Sequence, residues 1–214
     1  MADSENTTAD LPPVIPVFPL PKVILFPESN LPLNIFEPRY LKMVEDAQAN
    51  HGIIGMVQPK TTDDLAGSPE VYQVGGAGRI THSTKTEDGR YLIRLTGISR
   101  FHIESELSGT TPYRQVMANW EPFQDDTMPP PPPGTFDREG LMTELKAYLD
   151  KRGLEADYDG INAAPDTVLI NTLSMIIPLT IAEKQALLEA NTTTERAETL
   201  KSLLMMVSIS DKTN

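Results

Sequence analysis

Leu31-Pro32-Leu33-Asn34-Ile35-Phe36-Glu37-Pro38-Arg39-Tyr40 is the stretch on which the reading of this chain turns. Leu31, Leu33 and Ile35 alternate with Pro32 and Asn34, the period of a strand with one buried face. Pro38 suits the first turn of a helix, where a missing N–H forfeits no bond. Glu37 beside it puts negative charge at the positive end of the helix dipole. Tyr40, Leu41, Val44 and Ala47 continue at helical spacing, and Asn50-His51-Gly52 supplies a stop. The stretch therefore predicts a strand that runs directly into a helix.

Outward from it, the first half of the chain carries mostly strand signals. Val14-Ile15-Pro16-Val17-Phe18 and Val23-Ile24-Leu25-Phe26 predict short strands, confined by the prolines to edges or strand ends. Residues 53–58 predict a strand after the helix, and residues 60–70 a polar loop. Gly75-Gly76-Ala77-Gly78 is permissive backbone and reads as a turn before Arg79-Ile80-Thr81-His82-Ser83. Thr86-Glu87-Asp88-Gly89-Arg90 is the clearest hairpin turn, since Asp-Gly tolerates positive φ. Beyond it Tyr91, Ile93, Leu95, Phe101 and Ile103 share one parity, with Arg94, Thr96, Arg100, His102 and Glu104 on the other. Gly97 interrupts that alternation and marks a bend or bulge. Residues 113–120 give one more strand, with Val116, Ala118 and Trp120 on one face.

A joint follows. Asp125-Asp126-Thr127-Met128 leads into five prolines at 129–133, which hold an extended chain and join neither helix nor sheet interior. After it the pattern is helical. Leu141, Leu145, Tyr148 and Leu149 share a face ended by Gly153. Val168, Leu169, Leu173, Ile176 and Ile177 read as a more buried helix closed by Pro178. Thr180 with Glu183, and Thr192 with Glu195, have the spacing of capping boxes that open two last helices. The inner faces of those helices are Ala186, Leu187 and Ala190, then Ala197, Leu200, Leu204 and Val207. The expected organisation is a disordered acidic tail at 1–12, a β-rich part at 13–122, a proline-rich linker at 123–135 and a helical part at 136–210.

Composition narrows the function. Of 214 residues 39% are apolar, as in a globular protein, and 18 Lys+Arg against 30 Asp+Glu give a net charge of −12. With no dense basic stretch, attraction to nucleic acid or anionic membranes is not expected. There is no cysteine, which removes disulfides, thiol catalysis and thiolate metal sites. The first ten residues lack a basic signal region, and no apolar run approaches the about 20 residues of a membrane span. A cytoplasmic, soluble protein is the expectation. His51, His82 and His102 are scattered, no Gly-x-Ser-x-Gly elbow or metal-ligand spacing appears, and no phosphate-cradling Gly-Lys-Ser/Thr loop exists. No catalytic residue, cofactor or metal is assigned.

Val17-Phe18-Pro19-Leu20-Pro21, Val23-Ile24-Leu25-Phe26-Pro27, residues 31–40 and Gly55-Met56-Val57 together resemble the N-terminal substrate-binding domain of the Lon protease family. Gly97-Ile98-Ser99-Arg100-Phe101 and Glu183-Lys184-Gln185-Ala186-Leu187-Leu188-Glu189 extend the resemblance over nearly the whole chain. The chain departs from the pattern at Lys22 and Glu28, two turn positions where the family often has glycine. The resemblance implies an α+β fold, with an N-terminal curled sheet or PUA-like pseudo-barrel followed by a C-terminal helical bundle. The family's proteases carry ATPase and peptidase modules after this domain, for which these 214 residues have no room.

The resulting expectation is a non-catalytic domain that binds unfolded or hydrophobic polypeptide segments in protein quality control, with a homo-oligomer left open. A small-ligand or orphan enzymatic domain on the same scaffold is the alternative, and RNA binding is disfavoured by the charge. The candidate residues are Phe18, Leu20, Ile24, Phe26, Leu33, Ile35, Phe36, Tyr40 and Met56, as either groove or core. Glu37, Arg39 and Arg100 join them as charges set in apolar motifs, suited to ion pairs or to clasping carbonyls. Met205-Met206 offers an adaptable surface near the end.

Overall fold

The structure, a computed structural model, describes residues 11–62, 68–129, 134 and 136–210, with side chains to residue 206. Six strands form a sheet in the order β2-β5-β4-β3-β1-β6. They are β1 Val14–Pro19, β2 Asn30–Ile35, β3 Ile53–Val57, β4 Val74–Lys85, β5 Tyr91–Glu106 and β6 Arg114–Asn119. The first half of β5 pairs with β2 (Leu33 opposite Ile93), and the second half closes onto β6 (Ile103 opposite Ala118). Register shifts opposite β4 at Ala77/Gly78 and Ile80/His82, and opposite β6 at Ile103/Ser105, let one 16-residue strand curl between these partners. The sheet thus closes into a barrel, with β2 as an added edge strand whose Pro32 suits a free edge.

The organising stretch folds as its pattern predicts. β2 ends at Ile35, Glu37 is the N-cap, and α1 runs Pro38–Ala49 with Pro38 at its start. The residues before it do not. Residues 23–26 are not a strand: Ile24, Leu25 and Phe26 are all buried, in a strap that crosses the sheet between β1 and β2. The strap turns at Lys22 (φ +63°) and Glu28 (φ +61°), the two places where glycine was expected. Gly75-Gly76-Ala77-Gly78 is likewise no turn but the interior of β4. Its glycines serve the strap, since a Cβ on Gly76 would lie 1.9 Å from the carbonyl oxygen of Leu25. A Cβ on Gly97 of β5 would meet the carbonyl oxygen of Phe26 at the same distance. Only glycine lets the strap lie this close.

The second half contains α2 Arg138–Arg152, α3 Tyr158–Ala163, α4 Asp166–Ile176, α5 Ile181–Glu189 and α6 Thr193–Ser210. Asp137 caps α2, Gly153 (φ +62°) ends it, and Thr180 with Glu183 closes a reciprocal capping box on α5. The helix α3, absent from the sequence reading, starts at Asp157, whose carboxylate accepts from the Gly160 amide. The helical core of Leu141, Leu145, Leu173, Leu187 and Leu200 also contains Ile24 and Phe26 from the strap. The helices therefore pack on the barrel through a shared core. A short 3-10 helix, Glu121–Thr127, occupies the start of the expected linker and buries Phe123. Prolines 130–133 lie outside the described residues, as do residues 1–10 of the expected tail, Asp63 and Asp64. Leu11, which the sequence placed in that tail, is only 8% exposed in the barrel core, and the Pro12 carbonyl accepts from Trp120 Nε1 at 3.1 Å.

Candidate functional site

The structure divides the candidate residues of the sequence among three places. Phe18, Ile35, Tyr40 and Met56 are buried together on one side of the sheet, with Leu20 and Leu33 packed partly buried against them. Phe18 and Tyr40 pack as a tilted pair at 4.3 Å between ring centroids, and burial raises the Tyr40 phenol above its usual range. Ile24 and Phe26 belong to the helical core. Phe36 is displayed, at 62% exposed, as are Met205 and Met206 on the last helix.

The two arginines, alike in sequence, differ in surroundings. Arg39 pairs at 3.0 Å with the half-exposed carboxylate of Glu37, and its guanidinium lies 4.6 Å above the Tyr40 ring. Arg100, 3% exposed, forms a fork with Asp126 (Nε to Oδ2 2.9 Å, a terminal nitrogen to Oδ1 2.8 Å). Its other terminal nitrogen donates to the carbonyls of Leu188 (3.0 Å) and Ala190 (2.6 Å), at the end of α5. Arg100 therefore ties barrel, 3-10 helix and bundle together. Arg196 repeats the device, donating to the Leu187 carbonyl and to Asn171, with its guanidinium 4.1 Å above Phe26. Gln185 completes the seam by donating to the Val74 carbonyl and accepting from Gln58, both at 3.0 Å.

A cavity of about 480 Å³ lies at the barrel end among Arg39, Tyr40, Tyr113 and Arg114. Two of its polar side chains are bonded to protein: Arg114 forks onto Glu106, and the Tyr113 hydroxyl donates to Asp46 at 2.8 Å. Burial and that carboxylate push Tyr113 up to about 12. Among the described residues no group of three or more His, Asp or Glu is placed to hold a metal.

The surface with unspent capacity is on the helices. Val168 (46% exposed) and Ile176 (67%) do not face the core as the sequence implied, and α4 buries Leu169, Ile170 and Leu173 instead. With Thr172 they form an i, i+4, i+8 ridge with a groove on each side. The first groove, about 530 Å³, is walled by Leu145, Leu149, Leu154, Ile161 and Leu173, with Glu155 and Asp157 on its rim. Tyr148, also in its wall, carries a buried hydroxyl with no hydrogen-bond partner among the described residues. The second groove, about 310 Å³, lies between the ridge and residues 27–30 and includes Glu28. Sequence reasoning missed this surface because Val168 and Ile176 were assigned to a buried face. Their spacing of eight, through Thr172, is the signal that separates them from Leu169 and Leu173.

The sequence model described as ATP-dependent protease La (LON) substrate-binding domain matches residues 14–205. The Lon protease of Flavobacterium johnsoniae is 29% identical over 93% of this chain, and that of Dictyoglomus thermophilum 27% over 90%. The chain spans about a quarter of the length of these curated relatives. Among solved structures, a Lon N-terminal domain protein from Xanthomonas campestris superposes with a TM-score of 0.60 at 20% identity, covering 88% of this chain and 97% of that one. The N-terminal domain of the Mycobacterium avium complex Lon protease gives 0.60 at 19% identity, over 90% and 98%.

Proposed function

Because this chain belongs to the Lon substrate-binding domain family, we propose that it holds apolar segments of unfolded polypeptide and performs no chemistry on them. The observation that carries this reading is the α4 ridge, two large aliphatic side chains left exposed between two grooves. Contiguous apolar surface of this kind on a folded domain marks a place for a partner. Such a domain serves quality control by selecting chains whose apolar residues have escaped burial. The motif at 31–40 then acts as framework, because Ile35 and Tyr40 fill the core that supports α1.

Fluorescence anisotropy with a labelled, permanently unfolded protein tests this. Val168→Asp and Ile176→Asp each place a charge on the ridge, where the exposed positions tolerate it. Binding should weaken at least about tenfold, the equivalent of losing one well-buried aliphatic contact, with the urea midpoint unchanged. Wild-type affinity in both variants refutes the ridge as the binding surface.

A further inference from the structure

Every charged side chain that lines the two grooves is acidic: Glu155 and Asp157 on one side of the ridge, Glu28 on the other. Asp159 adds a further exposed carboxylate on α3. Two cations border the first groove without lining it: Arg138 donates to the carbonyls of Ile161 and Ala164 and is paired with Asp166, and Arg152, in the last turn of α2, stacks 4.7 Å above the Tyr148 ring. The apolar ridge thus runs between two acidic margins, on a chain whose net charge is −12.

Building on the ridge reading above, we infer that the preferred occupant is a short apolar run with lysine or arginine on both flanks. The spacing follows from the helix that separates the margins. An α-helix with its side chains is about 10–12 Å across, and an extended peptide advances about 3.3 Å per residue. About three to four apolar residues therefore cross the ridge and deliver one flank to Glu28 and the other to Glu155 and Asp157. The apolar run supplies the burial, and the flanking cations supply the choice among apolar segments. A run flanked by aspartate or glutamate meets like charge at both margins and is disfavoured.

Three labelled peptides with one apolar centre and flanks of lysine, glutamine or glutamate test this by anisotropy. At low ionic strength the lysine-flanked peptide should bind about five- to tenfold more tightly than the glutamate-flanked one, as expected for a few solvent-exposed charge pairs. The ratio should shrink toward one in 0.5 M salt, where screening is about 4 Å or shorter. In the double variant Glu28→Gln, Glu155→Gln the ratio should fall, whereas Glu87→Gln, Glu121→Gln, which removes as many charges elsewhere, should leave it unchanged. Equal binding of the three peptides, or an equal loss of preference in both double variants, overturns the charge selection and leaves the apolar reading standing. If no peptide binds, or if Ile176→Asp does not weaken the glutamine-flanked one, the underlying ridge reading fails and the charge selection fails with it.

Discussion

Replacing Gly76 by alanine places a methyl carbon 1.9 Å from the Leu25 carbonyl oxygen, where ordinary contact begins near 3.4 Å. Backbone cannot rotate out of the way as a side chain can, so the strap at 22–28 must lift by more than an ångström. Lifting it disturbs Leu25 and Phe26, which are 1% and 0% exposed, and moves Phe26 away from Arg196. In an ordinary strand the same substitution stabilises by about 0.5–1 kcal/mol. Here overpacking costs about 1–3 kcal/mol, and partial exposure of two large apolar side chains adds about 1–2 kcal/mol. The net expectation is a loss of about 2–4 kcal/mol. Gly97→Ala, aimed at the Phe26 carbonyl, should cost as much. Because both methyls displace one segment, the double variant should lose less than the sum of the singles, by about 1 kcal/mol or more. Gly109→Ala, whose methyl meets nothing closer than 3.7 Å, is the control and should stay within about 0.5 kcal/mol. Urea melts followed by the single tryptophan, Trp120 in the barrel core, report these values. Wild-type midpoints for Gly76→Ala and Gly97→Ala, or strict additivity in the double variant, refute the strap as the reason for these glycines.

Three further outcomes follow from the same geometry. Lys22→Gly and Glu28→Gly relieve left-handed backbone and should each raise the urea midpoint, by a net of about 0.5–1 kcal/mol after the entropy of glycine is allowed for; a lowered midpoint in both contradicts the strained turns. Arg100→Ala should cost about 3–5 kcal/mol and Arg100→Lys recover little of it, because Asp126 and two carbonyls lose a fork that lysine cannot form; Arg39→Ala, beside a half-solvated partner, should cost about 1 kcal/mol or less in the same melts. Lys184, 2% exposed, donates to the Ser174 and Met175 carbonyls at the end of α4, and burial lowers it to about 8. Since its folded value lies below the unfolded 10.5, the unfolded chain binds more protons between these values, and stability rises as pH climbs from 8 to 10.5. Relative to Lys184→Met, wild type should gain about 1–3 kcal/mol over that window, the carbonyls and helix dipole holding it below the full shift; parallel stability curves for the two proteins rule this out.

Local rules were enough for much of the framework. Pro38 after Glu37 placed the start of α1, Asp88-Gly89 the β4–β5 turn, Gly153 the end of α2, and Thr180 with Glu183 the start of α5, because each is a backbone requirement met within a few residues. The parity of Tyr91, Ile93 and Leu95 marked the inward face of β5 for the same reason, and the family was legible in the ordered motifs at 17–40. What sequence could not convey was which distant segment lies against which. Val23-Ile24-Leu25-Phe26 has the composition of a strand, but it is a strap whose backbone is seated on glycines more than 50 residues away. Gly75-Gly76-Ala77-Gly78 looks like a turn only while the strap is out of view. Arg39 and Arg100 read alike until Asp126 and the end of α5 close around the second. Val168 and Ile176 are as apolar as Leu169 and Leu173, and it is the packing of α4 against α5 and α6, fixed by the fold and not by hydropathy, that leaves the first pair in water between two acidic margins.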